Sequence, residues 1–196
     1  GLNGKNITGR YIPSEIKHLF HHIPSPVDSD SIANDLQRVL DEHDDIAALI
    51  YEPVQGAGAT TPPDDYFNGL TDLTREHDIL LIADEIATFA RLGTWLASET
   101  FRVKPDIVTL GKGLSNGIGP VGATVLSPQV YEGLGTHDIG TKDFGETLAW
   151  TPLLAAVGLH VLTTIEQNDL LKNGPEYGKL IRETLNARLN EVRIGV

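Results

Sequence analysis

Short apolar runs alternate along the chain with stretches whose apolar residues recur every three or four positions, and this alternation predicts its elements. Residues 28–43 predict a helix, with Ile32, Leu36, Val39 and Leu40 at helical spacing and Ser29 or Asp30 available as a cap. Residues 46–51, IAALIY, then read as a buried strand. A glycine- and proline-rich loop fills 52–63, and a second helix covers 64–77 with Tyr66, Leu70, Leu73 and Thr74 on one face. Three further strands follow, ILLIA at 79–83, IVTLGK at 107–112 and GATVLS at 122–127, with an irregular stretch containing Phe89 and Trp95 after the first of them. Strands interleaved with helices predict an α/β fold, a mostly parallel sheet flanked by helices. From Pro152 the pattern changes to long helices at 153–166 and 177–192, interrupted by Gly174-Pro175. The first 26 residues have no steady period, and Pro13, Pro24 and Pro26 exclude a long helix there.

Two of the apolar runs end in chemistry. The strand beginning at Ile107 runs into Gly111, Lys112 and Gly113. Flanking glycines let a lysine approach a ligand closely, because no neighbouring Cβ intrudes. Partial desolvation at a strand end favours the uncharged, nucleophilic amine, and the chemistry this suits is Schiff-base formation. The ILLIA run ends in Asp84-Glu85. Parallel strands open on one edge of a sheet, where ligands of α/β proteins collect, so the acid and the amine are expected to share one crevice.

Composition narrows the partners. Lysine and arginine total 15 against 27 acidic residues, a net charge of −12, and no basic run clusters the positive side chains. A nucleic-acid backbone calls for the opposite balance. No apolar run is long enough to cross a membrane, so neither nucleic acid nor membrane is an expected partner. Without cysteine there is neither a disulfide framework nor a thiolate site, and a cytoplasmic location is the default expectation. His18, His21 and His22 invite a metal reading, weighed against a polar loop; with no acidic partner in register, no metal is expected.

Five ordered motifs carry a family resemblance: EPVQG at 52–56, LIADEI at 81–86, RLG at 91–93, PDIVTLGKGLSNG at 105–117 and GET at 145–147. In order and spacing they resemble the class III (ω-amino acid) aminotransferases, which use pyridoxal 5'-phosphate on the fold type I scaffold. The resemblance implies that residues 1–151 are part of the large cofactor-binding domain and 152–196 a helical connection toward a small C-terminal domain. It also implies a homodimer with the active site at the interface, and small-molecule amine and oxoacid substrates.

The same resemblance assigns roles. Lys112 forms the Schiff base with the cofactor and then shuttles a proton. Asp84 faces the pyridine nitrogen and Ile86 packs on one face of the ring. Thr147 binds the phosphate of the neighbouring subunit's cofactor, although the residues after it, Leu148-Ala149-Trp150-Thr151, depart from the family's sequence. Glu52 and Gln55 lie in the loop on the cofactor's phenolic side, Glu52 as an orienting group and Gln55 as a cofactor contact or a loop-stabilising amide. Ala87 stands where some relatives carry a glutamine, and Ala57 where users of glutamate or 2-oxoglutarate often carry a glutamate. The latter favours a pyruvate-like acceptor.

Relatives commonly have a glycine between the positions matching Thr88 and Phe89. Its absence here, in a chain that starts Gly1-Leu2 and contains no methionine, suggests a fragment or a sequence with residues omitted. Other readings stay open: an aminomutase, decarboxylase or racemase on the same fold, or a noncatalytic truncated relative. A metal hydrolase using Asp84, Glu85 and the histidines lacks a histidine pair at ligand spacing.

Overall fold

Ala48–Tyr51 (β1), Leu80–Asp84 (β2) and Ile107–Leu110 (β3) pair as parallel strands, and Ala123–Leu126 (β4) closes the sheet antiparallel to β3. The computed structural model describes residues 16–135 and 151–189. The mostly parallel α/β sheet is the one the alternating pattern predicts. Pairing of Tyr51 with Ala83 and of Asp84 with Thr109 brings the carboxyl ends of the three parallel strands level with one another.

Side chains alternate across a strand, so the register decides which residues face the core. Tyr51, Leu81, Ala83 and Val108 share the face that packs against Ile32 and Leu36 of the first helix (α1, Ile32–Leu40) and Leu70 of the second (α2, Leu70–Glu76). Tyr66 and Phe67 join this cluster, and the Phe67 ring stands 5.1 Å from that of Tyr51 and 5.3 Å from that of Phe101. The opposite face is more open: Ile50 is 46% and Leu80 40% exposed, so the expectation of strands buried throughout is corrected. Among the described residues the helices α1 and α2 cover one face only. Truncating a fully buried side chain removes its transfer energy and leaves a cavity. Leu81→Ala, at a position with no exposed surface, is expected to cost about 2–5 kcal/mol, measured as a shift in the denaturant midpoint.

Several boundaries moved for identifiable reasons. Ser31 caps α1, not Ser29 or Asp30, by accepting the Asn34 N–H at 3.3 Å. Gly69 takes φ 77°, a left-handed conformation, and begins α2 six residues later than the apolar spacing suggests, while 64–69 forms turns. Two helices escaped the sequence reading. The four-residue α3 (Ala97–Thr100) lies in the stretch read as irregular, and Pro128–Gly135 (α4) follows Ser127, whose hydroxyl accepts the Val130 N–H. A serine followed by proline is a helix start signal.

Pro152–Gln167 (α5) and Asn173–Leu189 (α6) are the long C-terminal helices. Gly174-Pro175 does not interrupt them; it sits in the first turn of α6, where proline lacks only an N–H that would be unpaired anyway. The glycine is needed for contact, since a Cβ at Gly174 would collide with the Arg91 carbonyl oxygen. The other helix, α5, lies against the segment that follows Lys112: a Cβ at Gly158 would touch Val121 Cγ1 at 3.8 Å and the Leu114 carbonyl at 3.9 Å. Among the described residues no helix is long and apolar enough to cross a membrane.

Candidate functional site

Three loops leave the carboxyl ends of β1, β2 and β3 side by side. The apolar strand predicted to reach Lys112 stops at Leu110. Gly111 remains extended, and Lys112 opens a 3-10 turn, Lys112–Leu114, with a left-handed φ of 39°. The lysine therefore stands just past the sheet. Its side chain is exposed and has no hydrogen bond or ion pair among the described residues, which corrects the expectation of a partly desolvated amine. The cause is local: the reversed backbone at Lys112 turns it off the strand line into the open edge.

Gly111, by contrast, is buried. A Cβ there would lie 3.4 Å from Ile86 Cγ2 and 3.9 Å from the Val121 carbonyl, ordinary contact distances, so Ile86 packs directly on the base of the Lys112 turn. The flanking Gly113 is tighter, because a Cβ there would come 3.3 Å from the Phe89 carbonyl. Of the two glycines read from the sequence as clearance, Gly113 is the tight one, and its clearance is toward the β2 loop.

Asp84 closes β2 and pairs with Thr109 of β3, so the two side chains project from the same, more open face of the sheet. Its Oδ1 accepts the Ile86 N–H at 3.1 Å, and Oδ2 has no partner among the described residues. The neighbouring Thr109 Oγ1 is buried and also lacks a partner. A half-used carboxylate beside an orphaned hydroxyl leaves polar capacity at the sheet edge, an arrangement usually completed by a ligand or water.

The 52–56 loop meets this group from the β1 side. Glu52 Oε2 accepts the Gly56 N–H at 2.7 Å, closing the loop on itself, and a Cβ at Gly56 would touch Ala87 Cβ at 3.3 Å. Gln55 bridges Thr60 through its backbone, while its side-chain oxygen accepts the Ser25 hydroxyl at 3.0 Å. Contacts thus run from the 52–56 loop to Ala87 and from Ile86 to Gly111. Glu52, Asp84, Ile86 and Lys112 are brought to one edge, and the Gln55 amide is engaged within the loop region. Thr147 lies outside the described residues.

Glu85 points the other way, and the sequence reading did not foresee its surroundings. It is fully buried, with Oε1 accepting the Ser98 N–H at 2.7 Å and the Ser98 hydroxyl at 2.6 Å, and Oε2 accepting the Ala97 N–H at 3.0 Å and the Thr88 hydroxyl. Ser98 Oγ in turn lies 3.2 Å from the Tyr51 hydroxyl. Burial holds the Tyr51 phenol well above its usual range; the Ser98 hydrogen bond opposes this rise and the Glu85 charge adds to it. Thr88, three residues on, was the one local signal for this network, since its other donors are twelve and thirteen residues away.

The amino-terminal histidines lie elsewhere. His21 stacks on His43 at 3.9 Å between ring centroids, and among the described residues no group of three or more His, Asp and Glu is placed to hold a metal ion.

Fold and strand-end residues together define an α/β protein whose Glu52, Asp84, Ile86 and Lys112 segments meet at the carboxyl edge of its sheet. The chain belongs to the class-III aminotransferase family, whose model matches residues 12–194. An omega-aminotransferase of Caulobacter vibrioides is 40% identical over 151 residues, which is 74% of this chain and 34% of that protein. An alanine/serine racemase of Pyrococcus horikoshii is 38% identical over 155 residues, covering 76% of this chain and 30% of its own. The solved structure of a transaminase from the marine bacterium Virgibacillus matches with a TM-score of 0.78 at 31% identity, over 88% of this chain and 40% of that one. The sheet and flanking helices are accordingly part of fold type I. The chain spans about a third of the length of the curated relatives it matches.

Proposed function

We propose that the complete protein is a pyridoxal-phosphate-dependent aminotransferase that moves an amino group from an amine or ω-amino acid to an oxoacid. The observation that carries this reading is the convergence of the three strand-end loops, with a Lys112 amine and one Asp84 carboxylate oxygen that have no partner among the described residues at one edge. The donor set suits the cofactor: an amine, a carboxylate, an apolar side chain at Ile86, and an orphaned Thr109 hydroxyl.

Pyridoxal phosphate, when bound, supplies an aldehyde that condenses with amines and a protonated ring that draws electrons from the substrate carbon. Lys112 Nζ would hold the cofactor and then take and return the substrate proton, serving as nucleophile and base in turn. Asp84 Oδ2 would keep a proton on the ring nitrogen, its other oxygen being fixed by the Ile86 N–H. Ile86 would pack on one ring face. Glu52 would orient the loop on the phenolic side, where Gln55 would contribute a cofactor contact or hold the loop through its amide. Thr147 would donate to the phosphate across a homodimer interface. Residues 1–151 then belong to the large domain and 152–196 to the connection with a smaller one. Ala57 favours a pyruvate-like acceptor, and a cytoplasmic location completes the reading.

Borohydride reduction of the complete polypeptide with pyridoxal phosphate, followed by digestion and mass spectrometry, tests it. Stoichiometric label on Lys112 is the expected result; absence of specific label would overturn the assignment. A racemase is the second reading, favoured by the 38% identity to the Pyrococcus enzyme. Formation of a new amino acid only when an oxoacid acceptor is added separates transfer from racemisation.

A further inference from the structure

Glu85 is a fully buried carboxylate that the proposed chemistry does not use. Its four acceptor contacts are all filled by protein donors, two on each oxygen. Hydrogen bonds to an ionised acceptor are stronger and geometrically stricter than neutral ones. The backbone of the same residue is equally committed: its N–H donates to the Thr109 carbonyl at 3.0 Å, and its carbonyl accepts the N–H groups of Thr88 and Phe89 at 3.1 and 2.9 Å. No part of Glu85 is free to move without breaking one of these contacts.

The residue sits between two that stand at the sheet edge beside Thr109 and Gly111. Alternation along the chain directs Asp84 to one side of the sheet and Glu85 to the other, beside Tyr51 and Ser98. Ile86 reaches the base of the Lys112 turn at Gly111. Glu85 therefore ties the end of β2 to the start of α3, and through Ser98 to Tyr51, the last residue of β1 before the Glu52 loop.

We infer that Glu85 is a positioning residue: its buried carboxylate, clamped by Thr88, Ala97 and Ser98, sets where Asp84, Ile86 and the Glu52 loop stand relative to Lys112. The inference rests on the reading of Lys112 and Asp84 proposed above. It assigns the second acid of the Asp84-Glu85 pair to geometry, with no contact to substrate or cofactor.

The test measures pyridoxal phosphate affinity by visible absorbance titration, together with kcat and KM, on the complete polypeptide. Ser98→Ala removes one hydroxyl donor and leaves the Ser98 N–H bond, so it should fold and bind the cofactor about tenfold more weakly. Glu85→Gln sets an amide NH2 against an N–H or hydroxyl donor, and a misplacement of this kind costs about 100-fold, here in both affinity and kcat, with KM for the amine little changed. Leu36→Ala, a destabilising change in the core of α1 away from the crevice, should leave affinity unchanged. Normal cofactor affinity in folded Ser98→Ala, or an equal loss in Leu36→Ala, would overturn the positioning role while leaving the Lys112 assignment intact. Failure of the wild-type protein to bind the cofactor would overturn both, and is recognised because it needs no variant.

Discussion

Lys112→Ala should lower turnover of the complete protein by at least about 10⁴-fold, the upper range for loss of one group acting in proton transfer, while leaving the fold intact. The expectation of an intact fold comes from the geometry. Lys112 is exposed, has no hydrogen bond or ion pair among the described residues, and takes a φ of 39°. Alanine carries the same Cβ, so the strain of the left-handed backbone is unchanged by the substitution. What disappears is the ε-amine, and with it both the nucleophile and the proton carrier. Lys112→Arg keeps a positive charge but supplies no nucleophilic amine at neutral pH, and should be as inactive. Steady-state kinetics with a thermal melt on each variant provides the check, and turnover near that of the wild type in either one would remove Lys112 from the role.

Asp84→Asn is the second large effect, with kcat expected to fall about 10²–10³-fold, as for removal of one preorganised electrostatic partner. Asparagine retains an oxygen in the place of Oδ1, so the bond from the Ile86 N–H at 3.1 Å can persist and the β2 loop should hold its course. The negative charge is lost, and an uncharged amide no longer favours a protonated ring nitrogen. The distinguishing signature is therefore a large fall in kcat with little change in melting temperature. A matching fall in stability would instead point to a structural role for the carboxylate. Wild-type turnover would refute the assignment outright.

Asp84 and Glu85 show why two adjacent acids behave so differently. In the sequence they are one acidic pair at the end of an apolar run. Alternation across the sheet sends one carboxylate to the open edge and the other into donors from Thr88 and α3, so among the described residues one keeps an unpartnered oxygen and the other keeps none. Periodicity made the alternation legible. The donors awaiting Glu85 were not, because Ala97 and Ser98 lie in a stretch with no regular pattern and reach it only after the chain has turned through residues 85–96.

The sequence by itself determined the α/β class, the four strands, the convergence of the Asp84 and Lys112 segments on one sheet edge, and the family resemblance. Each of these follows from local signals: apolar runs of strand length, glycines around a lysine, and motifs in fixed order. Tertiary structure alone decided the helix limits at Ser31 and Gly69, the open face at Ile50 and Leu80, the exposure of Lys112 and the clamp on Glu85. These depend on which surfaces meet and which donors remain unpaired when they do, and such pairings join residues that no sequence window contains.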